Sequence, residues 1–393
     1  MEQYTQVILN KGKEKSLLRK HPWIFSGALK TDLKKLNEND IVEVMDDRGN
    51  YLATGYVQHG SIAIRVLSFE KTEINQEFWD KTISNAYKVR KDLGIANQEH
   101  TNCFRLMHGE GDSVPGLIVD FYAGVCVIQC HTSGIHQFIH QIKSALLSQM
   151  DGMCKGVYDK SAESLHQKIE ESNNGWLTEI HEHDVVKENN HAFKIDWIKG
   201  QKTGFFIDQR ENRELLGNYS KNKSVLNTFA YTGGFSIYAL NNGASKVVSV
   251  DVSKHAIATL EENVKLNLNQ QNHTSFAMDT FQFFKENNDL FDVVILDPPA
   301  FAKSISARHN ALKGYKRLNA EGMKKVKSGG LLFTFSCSQV VDSTMFYQAV
   351  MSAAIETGIQ FKVIHRLTQP PDHPVNIFHT EGEYLKGLVL YRE

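Results

Sequence analysis

No run of about eighteen consecutive apolar residues occurs anywhere in the 393-residue chain, so no membrane-spanning helix is expected. The N-terminal stretch MEQYTQVILNKGKEKSLLRK lacks an apolar core, so no secretory signal is expected. Cysteine is scarce. The five residues Cys103, Cys126, Cys130, Cys154 and Cys337 are odd in number and show no metal-type pairing. Cys126 and Cys130 flank Val-Ile-Gln in a strand-like run, which predicts core positions for both. A reduced, cytoplasmic protein with no metal site follows. Charge of one sign is also missing, since 44 Lys+Arg oppose 45 Asp+Glu for a net charge of −1, and no global field argues for nucleic acid. The imbalance is local instead. Residues 1–35 carry eight Lys/Arg against three Asp/Glu, and residues 303–327 carry eight against Glu321 alone. Local basic surfaces can bind phosphate on a neutral protein.

What is present, 41% hydrophobic and 23% charged residues, is ordinary for a globular chain. The length predicts two or three domains, drawn at 1–72, 73–190 and 191–393. The first is β-rich: IVEVMDD, YLATGYV and SIAIRVLSF are separated by turn signals at Arg48-Gly49-Asn50 and His59-Gly60. Before them, His21-Pro22-Trp23-Ile24-Phe25-Ser26-Gly27 resembles the opening motif of the PUA domain, an RNA-binding barrel fused to RNA-modifying enzymes. Trp23 and Phe25 are expected in its core, and RNA contacts from Lys11, Lys13, Lys15, Arg19 and Lys20. The second segment reads as a small α+β domain, with a helix over Phe78–Val89 ended near Asp92-Leu93-Gly94. His108, Glu110 and Asp112 are expected to form a solvated turn. His181, Glu182, His183 and Asp184 match no metal-ligand spacing.

From Ser224 the pattern becomes regular. Strands are predicted to end near Phe229, Val250, Met278, Leu296 and Phe335, with helices between most of them and two closing strands in FKVIHRLTQ and YLKGLVLYR. This is a doubly wound, Rossmann-like sheet of about seven strands. Thr232, Asp251, Asp279, Asp297 and Cys337 all fall at strand carboxyl ends, where such sheets bind ligands. The first turn, Phe-Ala-Tyr-Thr-Gly-Gly-Phe-Ser, lacks the G-x-G-x-x-G spacing of a dinucleotide site, which ranks NAD below S-adenosylmethionine. Gly233 and Gly234 allow close backbone approach, Asp251 suits ribose hydroxyls, and Asp279 could accept from the adenine amine. Upstream, KTGFFIDQRENR places Arg210 where it could hold a cofactor carboxylate. Asp297-Pro298-Pro299-Ala300-Phe301 is a stiff loop that fixes a carboxylate. Cys337 lies in a Ser-Cys-Ser turn on the strand expected beside it. A thiolate there could add to C6 of cytosine and make C5 nucleophilic enough to take a methyl group. In the basic run, Lys303, Arg308, Lys313, Lys316 and Arg317 are the expected RNA contacts.

The ordered set HPWIFSG, RLMHGEGDSVPGLIVD, KTGFFIDQR, NTFAYTGGFS, LDPPAFAKS, TFSCS and DHPVNIFHTEGEYLKG resembles the PUA-containing RNA (cytosine-5) methyltransferases of bacterial large-subunit (23S) ribosomal RNA. The resemblance covers nearly the whole chain. It implies a class I methyltransferase domain of seven strands, with Cys337 as nucleophile and Asp297 as the base-positioning acid. It also implies a cofactor site lined by Gln209, Arg210, Phe229, Ala230, Tyr231, Thr232, Gly233, Asp251, Ser253, Asp279 and Asp297. The stretch Asp297 to Phe301 holds no cysteine, which excludes a two-cysteine relay. Two other readings stay open: methyl transfer to a guanine nitrogen or another RNA, and a non-catalytic RNA-binding or ribosome-assembly protein. An exposed face of the PUA or central domain could pair in a homodimer.

Overall fold

A computed structural model describes residues 4–165, 174–180, 184–267 and 272–393. The chain packs as two compact units. One comprises Met1–Val186, Ile195–Phe205 and Pro371–Gly382, the other Lys187–Lys194, Phe206–Pro370 and Glu383–Glu393. Among the described residues no helix is long and apolar enough to cross a membrane.

The first unit holds two sheets. In one, β1 (Thr5–Ile8), β2 (Trp23–Phe25), β3 (Ile41–Met45), β4 (Tyr51–Val57) and β5 (Ile62–Ser68) lie in the order β1-β3-β4-β5-β2. Val7, Ile24, Val42, Val44, Ile64 and Val66 form its core. The expectation that Trp23 and Phe25 are core aromatics is wrong. Side chains alternate along a strand, and in β2 it is Ile24 that points inward, at 2% exposure, while Phe25 is 51% exposed. Trp23 is half-buried and donates its indole N–H to Glu110 Oε1 at 2.9 Å, a polar need that a dry core could not meet.

The other sheet contains β6 (Cys103–His108), β7 (Leu117–Tyr122), β8 (Val125–Cys130), β9 (Gly156–Asp159) and β10 (Gly175–Trp176), in the order β10-β9-β8-β7-β6. Helices α1 (Gln76–Asp92) and α2 (Ile139–Gln149) pack together. Asn75 starts α1 by accepting the Phe78 N–H at 3.1 Å. Cys126 and Cys130 are fully buried in the core here, as their strand context predicts. The turn at 108–112 is not solvated, contrary to expectation. Asp112 meets the fully buried Arg90 through two bonds of 2.5 and 2.8 Å and also accepts the His108 backbone N–H at 2.6 Å. Glu110 accepts from Arg65 as well as Trp23. Burial, with Arg105 next in effect, holds the His108 imidazole well below its ordinary range. These acids are structural because each has a cation or N–H to satisfy it. Arg90 also donates to the Asp372 carbonyl at 2.8 Å, and Asp372 Oδ2 accepts the Arg105 N–H at 3.0 Å. That is why 371–382, distant in sequence, belongs to this unit. His181, Glu182 and His183 lie outside the described residues.

The second unit is entered through a hairpin of β11 (Val185–Glu188) and β12 (His191–Lys194). Its two-residue turn has Asn189 and Asn190 at φ 48° and 64°, the left-handed pair that Asn tolerates best. Then follow α3 (Arg210–Asn218), β13 (Ser224–Thr228), α4 (Gly234–Asn241), β14 (Lys246–Asp251), α5 (Lys254–Asn267) and β15 (His273–Ala277). The chain continues through α6 (Thr280–Glu286), β16 (Phe291–Leu296), α7 (Arg308–Lys324), β17 (Val326–Ser336), α8 (Ser343–Thr357), β18 (Phe361–Thr368) and β19 (Lys386–Arg392). The seven strands are ordered β15-β14-β13-β16-β17-β19-β18. Neighbours from β15 to β17 are parallel, and β19 runs antiparallel to both β17 and β18. Helices α3, α4 and α5 pack in succession, as do α6, α7 and α8. Right-handed crossovers that run outward from β13 in two directions place the two sets on opposite faces. The order reverses between β13 and β16, and the crevice at their carboxyl ends is the ligand position of such a sheet.

Candidate active site

The site begins at the end of β13. Thr228 pairs with Val250 of β14 on one side and Leu296 of β16 on the other, and Leu296 pairs with Thr334 of β17. Phe229, Asp251 and Asp297 therefore leave the sheet in one row, with Cys337 just beyond the end of β17. Three residues of the following turn are left-handed: Phe229 at φ 55°, Tyr231 at 47° and Gly233 at 88°. For bulky side chains this conformation costs on the order of 1–3 kcal/mol each. Hydrogen bonds hold the turn in place. Ala230 N–H donates to the Val250 carbonyl at 3.0 Å and Gly233 N–H to the Ala230 carbonyl at 2.8 Å. Asn263, fully buried on α5, donates to the Thr232 carbonyl at 2.9 Å and accepts the Lys194 N–H at 2.7 Å. A substitute at Gly233 would be strained twice over, by φ 88° and by a Cβ 2.7 Å from the Leu260 side chain, which would have to shift.

Asp251 is built into this turn. Its Oδ2 accepts the Tyr231 N–H at 2.9 Å and its Oδ1 the Ser253 N–H at 2.8 Å. A carboxylate has about four acceptor positions, so two remain, matching the two hydroxyls of a ribose. Ser253 Oγ accepts the Ala256 N–H at 3.2 Å and so helps start α5. Asp279 is exposed and caps α6, accepting the N–H groups of Phe281 and Gln282 at 2.9 and 3.0 Å through Oδ1. Gln209 and Arg210 are both buried at the start of α3, where Gln209 Oε1 accepts from Asn212 at 2.6 Å. Beneath the turn runs a polar chain, Asn227 to Ser236 to Ser249 to His273, with links of 2.8, 2.7 and 2.8 Å.

The second half of the site joins the loop after β16 to the turn after β17. Ser338 Oγ donates to the Ala302 carbonyl at 2.6 Å, tying Asp297-Pro298-Pro299-Ala300-Phe301 to Ser336-Cys337-Ser338. Cys337 is the one partly exposed cysteine; the other four are buried. Two ionisable groups unforeseen in the sequence adjoin it. Lys386 pairs across the sheet from Ser336, is 5% exposed, and donates to the Ser338 and Val341 carbonyls at 2.7 and 2.6 Å. Burial pulls its pKa below the ordinary lysine value, and the charge of Cys337 is the largest influence in the other direction. Tyr315 of α7 is pushed up to about 12, chiefly by burial, with Ser336, Cys337 and Asp297 all acting on its hydroxyl. Cys337 and Asp297 thus both lie within electrostatic reach of the Tyr315 phenol, and Lys386 within reach of the thiol.

Other supports also escaped sequence reasoning. Arg213 forms a buried two-bond ion pair with Glu188 at 2.8 and 2.7 Å, and Tyr384 donates to Asp208 at 2.7 Å. Arg213 sits inside the FIDQRENR stretch, and Tyr384 and Lys386 inside EGEYLKG, but nothing local distinguishes them from surface charges. The expected RNA contacts divide. Lys11, Lys13 and Arg19 are exposed, while Lys20 lies 4.7 Å over the Phe69 ring. In the basic run Lys316 is paired with Glu356 at 2.7 Å and Arg317 stacks 4.5 Å over Phe281. Lys303, Arg308 and Lys313 make no ion pair among the described residues.

Strand order, crevice and phosphate-free cofactor turn define a class I S-adenosylmethionine-dependent methyltransferase. The chain belongs to that family: residues 104–382 match the model of S-adenosylmethionine-dependent methyltransferases, and residues 7–69 match that of the PUA-like domain. Its cofactor is S-adenosylmethionine. Curated relatives are similar along the whole length. A protein of Alteromonas mediterranea is 38% identical, with 98% of each chain covered, and one of Tolumonas auensis is 37% identical, with 98% of this chain and 99% of the relative covered. Both are named ribosomal RNA large subunit methyltransferase I. Among solved structures, a methyltransferase complexed with SAH superposes at a TM-score of 0.85 and 25% identity, covering 98% of this chain and all of the other. A SAM-dependent methyltransferase from Streptococcus mutans gives 0.84 at 25% identity, with the same coverage.

Proposed function

We propose that the protein methylates C5 of a cytosine in large-subunit (23S) ribosomal RNA, in the cytoplasm, with Cys337 as the nucleophile. The observation that carries this reading is a partly exposed thiol just past the end of β17, on a turn that Ser338 ties to the loop after Asp297 and that the buried Lys386 ammonium spans. The names of the full-length relatives support the RNA class. S-adenosylmethionine supplies an electrophilic methyl group at sulfur. The Cys337 thiolate adds to C6, and the displaced electron pair makes C5 the attacking atom. C5 takes the methyl group as the sulfur–methyl bond breaks and a neutral thioether is left; the C5 proton then passes to solvent water, the C5–C6 double bond re-forms and the thiolate is expelled. Asp297, on its double-proline loop, holds the amino edge of the base. Asp251 takes the ribose of the cofactor, while Gln209, Arg210, Ser253 and Asp279 complete the lining. Residues 1–72 grip RNA with Lys11, Lys13 and Arg19, residues 73–190 join them, and residues 191–393 carry the transfer, with Lys303, Arg308 and Lys313 near the base.

The test is methylation of deproteinised 23S rRNA followed by digestion and mass spectrometry of the nucleosides. 5-Methylcytidine is expected from the native protein and none from Cys337→Ala, which should still bind the cofactor. A methylated guanosine, or full activity in Cys337→Ala, refutes the reading.

A further inference from the structure

The first unit contains a second group of potential ligands that methyl transfer does not use. One ligand atom each from His21, His379 and Glu381 falls within 4.8 Å of the other two. His379 is 3% exposed, and among the described residues neither of its ring nitrogens has a hydrogen-bond partner. An imidazole buried in that way forfeits the solvation of two polar atoms, about 1–3 kcal/mol for each unmet group, so its burial calls for a partner. Trp23 covers it edge-on with ring centroids 4.4 Å apart, and the His21 ring lies 5.5 Å away. A single turn of 3-10 helix, Thr380–Gly382, brings Glu381 Oε2 to 3.8 Å from His379 Nε2. Glu381 itself is 59% exposed and leaves an open side toward solvent. His21 Nδ1 lies 3.2 Å from the Trp23 carbonyl oxygen and 3.1 Å from the Trp23 nitrogen. As it stands Nδ1 accepts the Trp23 N–H; an ion at Nε2 moves the ring proton to Nδ1, from which the Trp23 carbonyl can accept it, the outer hydrogen bond that orients a metal-binding histidine.

We propose that His21, His379 and Glu381 bind one divalent transition-metal ion of the zinc class. Two imidazole nitrogens and one carboxylate oxygen suit zinc, cobalt or nickel, whereas magnesium and calcium want an all-oxygen set. Ligand bonds of about 2.0–2.2 Å require the three atoms to close somewhat, and the exposed Glu381 side chain can make most of that movement. Water fills the remaining position. The ion satisfies His379 and staples segment 371–382 to strand β2. Because sites of this kind bind only in the folded chain, it raises stability.

Chelator-treated full-length protein titrated with zinc sulfate in a calorimeter should take up one equivalent with a micromolar or tighter dissociation constant. The melting temperature should rise with zinc, and the cobalt form should show the visible spectrum of a four-coordinate nitrogen–oxygen site. His379→Ala and Glu381→Gln should each weaken uptake tenfold or more and lose the zinc-dependent rise in melting temperature. Should His379→Ala fail to fold, Glu381→Gln, altered at an exposed side chain, decides alone. No uptake by the native protein, or equal uptake by native protein and Glu381→Gln, overturns the proposal.

Discussion

Replacing Lys386 with methionine tests the environment of Cys337 directly. The ammonium group is buried and spans the Ser338 and Val341 carbonyls, which fix the turn that carries the thiol. A cation this close to an ionisable partner lowers an acid's pKa by roughly one to three units. Removing it should raise the Cys337 pKa and cut the thiolate fraction near neutral pH, by up to about tenfold for each unit of that rise. Iodoacetamide reads this without reliance on the methylation reaction, because the other four cysteines are buried and Cys337 should alkylate first. The alkylation rate of Lys386→Met should fall at pH 7 and recover at alkaline pH, and methyl transfer should follow the same shifted profile. Lys386→Arg keeps the charge and should hold the profile near that of the native protein. Methionine also leaves two buried carbonyls unpaired at about 1–3 kcal/mol each, so a fall in melting temperature is expected as well. A profile displaced in neither assay refutes the electrostatic role and leaves Lys386 a structural tie.

Other expectations follow from single contacts. Asp251→Ala removes the acceptor of the Tyr231 and Ser253 N–H groups along with the proposed ribose contact, so cofactor affinity should fall by about tenfold or more, at roughly 1.4 kcal/mol per decade; unchanged calorimetric affinity would take Asp251 out of the site. Burial holds His273 down at about 4 against its ordinary 6.5. The folded state therefore binds fewer protons than the unfolded state between those values, and stability should be full above pH 6.5 and decline as pH falls toward 4. The contribution is at most about 3 kcal/mol, and on the order of 1–2 once partial solvent access is allowed for. Urea unfolding of His273→Gln should show a flatter pH dependence, and an unaltered slope would remove His273 as its source. Neutralising Lys303, Arg308 and Lys313 should reduce the salt slope of rRNA binding by about 0.7–0.9 per contact. Neutralising Lys316 and Arg317, already engaged with Glu356 and Phe281, should change it less.

Where the chemistry follows from local pattern, the sequence was legible. Apolar runs alternating with helical periods implied the parallel sheet, and the strand-end residues Asp251, Asp297 and Cys337 fell at its crevice because a strand's last residue must leave the sheet there. The small-residue turn after β13 carried its own signal, since its left-handed positions lie beside Gly233. Trp23 and Phe25 were misjudged because hydrophobicity alone does not say which face of a short strand points inward. His108, Glu110 and Asp112 were misjudged because their partners Arg90, Arg65 and Trp23 come from other elements.

The amino-acid sequence by itself determined the order of elements, the turn after β13, and the presence of a cysteine just past a strand end. Only the tertiary structure decided which charges matter to that residue. Lys386 reads as one more lysine on a closing strand until β19 pairs with β17 and buries it behind Cys337. His379 reads as a loop histidine until segment 371–382 folds back to the first unit and places it against His21. One pairing spans 50 residues, from Ser336 to Lys386, and the other 358, from His21 to His379; what they set is desolvation, a property of packing that no local stretch of sequence contains.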